Sequence, residues 1–220
     1  MKKVLFPALI LCLFTGCSQS SVKIEMDKKE YETDGYKITM EIPSIKTDIP
    51  YQTQFNSDYL KISDEIFNTF SKESEKSEAP KDQLTMEQEI KLNKKNILSI
   101  VGHIEAFSGG SQNQLFRVTK NIDLENQKEL SFPDLFTDEE YKTRINAYIE
   151  TKLKEDPDEF SSLWKVPKVA DDQRFYLSPK GVVIYFPPYE LSYYSKGFVE
   201  IEIPYEELEG YLIPQIMALK

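Results

Sequence analysis

Ile97-Leu98-Ser99-Ile100-Val101-Gly102-His103-Ile104-Glu105-Ala106-Phe107 is the stretch on which the reading of the chain turns. It opens on Ile97, Leu98, Ile100 and Val101, and apolar residues dominate to its end, which predicts one long strand. Gly109-Gly110 breaks the run. Leu115 to Leu124 supplies a second strand of similar length, and the two form a hairpin. Glu125-Asn126-Gln127-Lys128 is a polar turn, and Glu129-Leu130-Ser131-Phe132 pairs beyond it.

The same reading extends to both sides. Leu84, Met86, Gln88, Ile90 and Leu92 share one parity, as a strand requires. Tyr36-Lys37-Ile38-Thr39-Met40-Glu41-Ile42-Pro43 alternates apolar and polar residues and is a half-buried strand. Between these strands, Gln54 to about Glu75 is a helix. Phe55, Tyr59, Ile62, Ile66 and Phe70 recur every three or four residues and make one apolar stripe.

After Pro133, Thr137 and Glu140 have the spacing of a capping box. A helix with the stripe Tyr141, Ile145, Tyr148, Ile149 and Leu153 follows, and Pro157 ends it. Arg174 to Leu177 and Gly181 to Phe186 form a hairpin around Ser178-Pro179-Lys180. Val199, Ile201 and Ile203 alternate with Glu200 and Glu202 in another half-buried strand, and Tyr205 to Leu208 is a short helical turn. Runs of strands with two principal helices between them indicate an α+β fold with a mostly antiparallel sheet, in two closely associated subdomains.

Composition narrows the function. The chain has 220 residues, 40% of them hydrophobic and 29% charged, which is globular composition rather than that of a disordered chain. The formal charge is −10, from 27 basic and 37 acidic residues, so a general nucleic-acid binder is excluded for want of a positive face. His103 is the one histidine. Catalysis built on histidine and a multi-histidine metal site are therefore not expected, and no cofactor is implied.

The N-terminus is an address. Lys2 and Lys3 precede an apolar run, Val4 to Thr15, shorter than the roughly 20 residues a membrane span needs but suited to a signal peptide. Phe14-Thr15-Gly16-Cys17 resembles the lipobox of bacterial lipoproteins, in which the cysteine is lipidated and becomes the new N-terminus. Phe14 departs from the usual aliphatic residue there. Cleavage without lipidation is the alternative. The expected organisation is a signal peptide over 1–16, lipidated Cys17 with a flexible tether over 17–34, a small α+β domain over 35–107 and a larger one over 108–220. Cys12 leaves with the leader and Cys17 carries lipid, so no disulfide is expected. The location implied is extracytoplasmic, with the membrane reached through the lipid anchor.

Residues from about His103 to Leu212 carry a recognisable string. Gly109-Gly110, Asn121-Ile122-Asp123-Leu124 and Leu130-Ser131-Phe132-Pro133-Asp134-Leu135-Phe136 come first. Ile184-Tyr185-Phe186-Pro187-Pro188-Tyr189-Glu190-Leu191 and Val199-Glu200-Ile201-Glu202-Ile203-Pro204-Tyr205 follow. This resembles the extracytoplasmic region of RsiV-type, lysozyme-sensing anti-sigma factors and the N-terminal modules of PdaC-type peptidoglycan deacetylases. Tyr36 to about Phe107 resembles the smaller domain that accompanies it. Those anti-sigma factors also carry a membrane helix and a sigma-binding domain, and those deacetylases a catalytic domain; neither is read in this chain. Many relatives place a histidine just after the double glycine, where this chain has Ser111-Gln112-Asn113, so no role of that histidine carries over.

The candidate binding residues are Tyr185, Tyr189, Tyr193 and Tyr194, crowded around Pro187-Pro188. Tyrosine brings large contact area with a polar tip, which suits a protein or glycan partner; the alternative is that these rings fill the core. Asp123 and Asp134 could face one cleft as a carboxylate pair, against turn and capping roles. His103 reads as a half-buried strand residue sharing a face with Val101 and Glu105. Gly109-Gly110 reads as a turn or bulge rather than an anion cradle. The function expected is a non-enzymatic envelope lipoprotein that binds a wall-associated, basic, lysozyme-like hydrolase. The alternatives are a peptidoglycan-binding module and an enzyme with an unrecognised carboxylate site.

Overall fold

The computed structural model describes residues 21–74, 81–110 and 112–220. The leader and Cys17 lie outside the described residues. Two sheets organise the molecule. The first has the order β1 (Ile24–Glu32), β2 (Tyr36–Ile45), β3 (Asp82–Lys94), β4 (Ile97–Phe107), β5 (Gln114–Asp123) and β6 (Lys128–Glu129). Its neighbours pair antiparallel except β2 and β3, which run parallel because α1 (Gln52–Ser74) carries the chain back between them. The second sheet, β7 (Phe175–Leu177), β8 (Gly181–Phe186) and β9 (Val199–Pro204), is antiparallel throughout. The α+β class and mostly antiparallel sheet read from the sequence are those observed.

Strand alternation decides how the layers stack. On β4, Leu98, Ile100, Ile104 and Ala106 face α1 and pack with its Phe55, Tyr59 and Phe70. Val101 faces the other way and meets Tyr176, Val183 and Tyr185 of the second sheet. The far side of that sheet packs on α2 (Tyr141–Glu155) and the C-terminal segment, through Leu177, Val182, Ile184 and Ile203 against Ile145, Ile149 and Ile216. The order is therefore helix, sheet, sheet, helix.

A buried polar chain joins the sheets. The Ser99 hydroxyl donates to Asn121 Oδ1 at 2.7 Å, Asn121 Nδ2 donates to the Phe175 carbonyl at 3.0 Å, and the Leu177 amide donates to Ser99 Oγ at 3.0 Å. Arg117 adds a second joint. Its guanidinium lies 4.2 Å from the Phe198 ring centre and 4.8 Å from that of Tyr185, and it pairs with Glu200.

Four expectations change. Residues 24–32 are not part of a tether but form β1, whose ladder with β2 runs from Ile24↔Ile45 to Glu32↔Lys37. Its charges obscured it: backbone pairing at a sheet edge holds the strand, and of its few apolar residues Ile24 and Tyr31 pack on the first core without a regular stripe. The limit expected between 107 and 108 falls inside the β4–β5 hairpin, whose ladder is continuous from Ile97↔Asp123 to Ala106↔Gln114. Leu92 does not share a face with Leu84 and Met86. The β3–β4 register slips between Ile90 and Leu92, so Leu92 lies opposite Ser99 and joins the second core. Finally, α2 begins at Tyr141 without a side-chain cap, and the Thr137 hydroxyl is committed to the Tyr211 carbonyl instead.

Candidate functional site

Pro187 and Pro188 stop β8, because neither can donate to a ladder. The chain leaves the sheet there, and Tyr189 sits at φ 69°, which turns the segment back over the molecule. Leu191 and Ser192 are buried and anchor the loop. Ser192 Oγ donates to the Ser162 carbonyl at 3.0 Å, the Trp164 amide donates to the Leu191 carbonyl at 2.9 Å, and Lys196 Nζ reaches the Glu159 carbonyl at 2.9 Å. Two loops, 161–166 and 187–197, are thereby tied side by side.

The aromatic side chains they carry point outward. Tyr189 is 61% exposed, Tyr193 63% and Trp164 53%. Tyr193 meets Trp164 edge to face with ring centres 5.4 Å apart, and Tyr189 lies 5.2 Å from Tyr194. The Tyr194 hydroxyl donates to the Asn113 carbonyl, which ties the patch to the start of β5. Val166 is also exposed beside it in sequence. Large rings left in water but fixed by backbone bonds are pre-organised for contact, because little freedom remains to be lost on binding.

Of the four tyrosines singled out from the sequence, the structure brings three to this surface and withdraws one. Tyr185 is 2% exposed. It lies in β8 on the face turned toward the first sheet, its hydroxyl 3.3 Å from Thr119 Oγ1 and its ring against Phe198. Burial pushes its hydroxyl above the ordinary tyrosine range. It is core, as strand alternation dictates, and cannot touch a partner. Trp164 was missed by sequence reasoning. The available signal was weak: the single tryptophan of the chain stands in the aperiodic segment Leu163-Trp164-Lys165-Val166-Pro167.

The other candidates have structural roles. Asp123 accepts from the Glu125 and Asn126 amides and from Asn126 Nδ2, holding the turn after β5. Asp134 accepts from the Ser131 amide and hydroxyl and pairs with Lys128. Burial would raise its pKa, but the bonds from Lys128 and Ser131 outweigh that and hold it below the usual carboxylate value. Each aspartate is thus spent on its own turn. His103 lies on β4, half-buried, opposite Glu87 and Arg117 and 3.6 Å from Glu89. Partial burial, with the Arg117 charge, lowers its pKa against the pull of Glu89. Gly109 adopts φ 73° in the β4–β5 connection, the left-handed geometry that glycine permits. Among the described residues no cluster of three or more His, Cys, Asp or Glu could hold a metal ion, and no helix is long and apolar enough to cross a membrane.

Known proteins match this chain in sequence and in fold. The family model described as "Protein of unknown function (DUF3298)" matches residues 133–206, the segment that holds α2, the second sheet and the aromatic loop. The anti-sigma-V factor RsiV of Bacillus subtilis is 26% identical over 196 residues, 83% of this chain and 67% of that protein. A DUF3298 protein from Bacteroides fragilis superposes with a TM-score of 0.66 at 19% identity, covering 91% of this chain and 98% of its own. One from Pseudomonas aeruginosa gives 0.65 at 17%, covering 90% and 97%. At these identities the two structures speak to the fold alone. By sequence the chain is similar to an anti-sigma-V factor, and by fold to DUF3298 proteins of two further bacteria.

Proposed function

We propose that this chain is a non-enzymatic, lipid-anchored protein of the cell envelope that grips a wall-associated protein of the lysozyme-like hydrolase type. The observation that carries the reading is the hydrogen-bond-braced patch of exposed Tyr189, Tyr193 and Trp164 with half-buried Tyr194 beside Tyr189. It lies within and beside the segment that resembles lysozyme-sensing anti-sigma factors. Interfaces concentrate their energy in such rings, and truncating one costs about 1–4 kcal/mol. The formal charge of −10 favours a basic partner and speeds encounter, an effect that salt weakens. Lipidation at Cys17 would hold the patch outside the membrane.

The test is titration calorimetry of the chain with lysozyme at low and at moderate salt. Binding is expected at both, weaker at the higher. Tyr189→Ala combined with Tyr193→Ala should reduce affinity by about tenfold or more without moving the thermal midpoint. Absence of binding at both salt concentrations refutes the reading. A second reading is supported by the Trp164–Tyr193 pair, since exposed rings also stack on sugars. It predicts retention on purified peptidoglycan that survives salt and is lost on the same two substitutions.

A further inference from the structure

The first sheet has two outer strands, and they are guarded differently. The outer strand β1 presents Glu25, Asp27, Lys28, Lys29, Glu30 and Glu32, a charged fringe that discourages another strand from pairing. At the other side β6 covers only Ile122 and Asp123 of β5. The Leu130 amide donates to the Asn121 carbonyl at 2.7 Å, so the backbone of Asn121 points outward. Antiparallel alternation then turns the amides and carbonyls of Leu115, Arg117 and Thr119 outward too. Among the described residues nothing hydrogen-bonds to them. The side chains on this free edge are Leu115, Phe116, Val118 and Thr119, with the Arg117 side chain among them largely buried and its charge paired with Glu200, and Phe116 is 51% exposed.

Hollows lie on both faces of the sheet at this edge. On the α1 face, about 340 Å³ is lined by Ile66, Phe70, Leu84, Ile104 and Phe116, with the exposed carboxylates of Glu65 and Glu73 about two turns apart along α1. On the opposite face, about 210 Å³ is lined by Leu115 and Phe198 beside Glu87 and Glu105. A strand added to β5 would send successive side chains to opposite faces, and so alternately toward the two hollows.

We infer that the β5 edge, Leu115 to Thr119, is a docking site for an extended peptide segment of a basic partner, added as a further strand. Backbone bonds to β5 give the pairing. Apolar side chains, or the aliphatic stems of lysine and arginine, fill the hollows, and the cationic tips meet Glu65, Glu73 and Glu105. A second copy of this chain is a poorer occupant, because both copies carry −10. The site is independent of the aromatic patch and stands or falls without it.

The probe is a short, capped peptide repeating Lys-Lys-Leu-Leu, which sends lysine and leucine to both faces, titrated against the whole chain. Two further versions carry N-methyl groups on the amides of one parity or the other. Binding is expected for the parent peptide. One N-methyl version should lose about tenfold or more, because its blocked amides faced β5, while the other binds as the parent does. Hydrogen exchange should slow at Leu115, Arg117 and Thr119 on binding. Glu65→Lys with Glu73→Lys should weaken the parent peptide, and Tyr189→Ala with Tyr193→Ala should leave it unchanged. No binding of the parent, equal binding of both N-methyl versions, or protection appearing away from β5 overturns the inference. So does a sedimenting dimer of the chain alone in which those three amides are already protected.

Discussion

Replacing Ser99 with alanine tests how the two sheets are held together. The substitution removes one buried oxygen and almost no volume, so packing changes little. Two buried groups lose their partner: the Leu177 amide, which donates to Ser99 Oγ at 3.0 Å, and Asn121 Oδ1, which accepts from the hydroxyl at 2.7 Å. Ser99 and Leu177 are fully buried and Asn121 nearly so, which leaves no water to replace the lost bonds. A stranded buried polar group costs about 1–3 kcal/mol, so the pair should cost about 2–5 kcal/mol. For a chain of this size each kcal/mol moves the midpoint by roughly 2–4 °C, which places the expected fall at about 4–20 °C. Urea and thermal unfolding followed by circular dichroism measure it. Ser195→Ala, on the surface, is the control and should stay within about 0.5 kcal/mol of the parent. Because Ser99 and Asn121 act in one chain of bonds, Ser99→Ala and Asn121→Ala should couple by about 0.5–3 kcal/mol. A Ser99→Ala protein as stable as the control, or additive behaviour in the cycle, would refute the idea that this network joins the sheets.

Gly181→Ala should be more damaging than its size suggests. A Cβ there would lie 2.1 Å from the Ile203 carbonyl oxygen, so β8 must separate from β9, and a loss of about 3 kcal/mol or more in urea unfolding is expected. Asp134 is held below its ordinary value, 3.8, so its stabilisation is complete above that value and disappears as pH falls through the lower, folded-state pKa. Asp134→Asn should therefore lower stability by about 1 kcal/mol at neutral pH, and the difference from the parent should vanish in strong acid. Cys17→Ser should abolish labelling by radioactive palmitate and release the protein from the membrane fraction; unchanged fractionation would refute the anchor.

Much of the fold was legible because local periodicity reports which faces a segment can bury. Ile97 to Phe107 read as a strand, and β4 has those bounds. The Phe55, Tyr59 and Phe70 stripe read as helical, and α1 buries it. The candidate site was legible in part. Tyr189, Tyr193 and Tyr194 follow two prolines, and proline stops strands whatever surrounds it. Tyr185 stands within the same cluster, and nothing in composition separates it from them.

What the sequence determined by itself was the class of each segment, since strand and helix periods are properties of neighbours in the chain. Only the tertiary structure decided which face of each strand a distant layer would cover. That is why Leu92 changes cores at a bulge, why Tyr185 disappears between sheets, and why Trp164 comes to stand against Tyr193. It is also why β1, with only Ile24 and Tyr31 packed on the core and no regular apolar stripe, is not legible in the sequence: its ladder needs β2 beside it, and hydrogen-bonded pairing between strands leaves no periodic mark on the side chains.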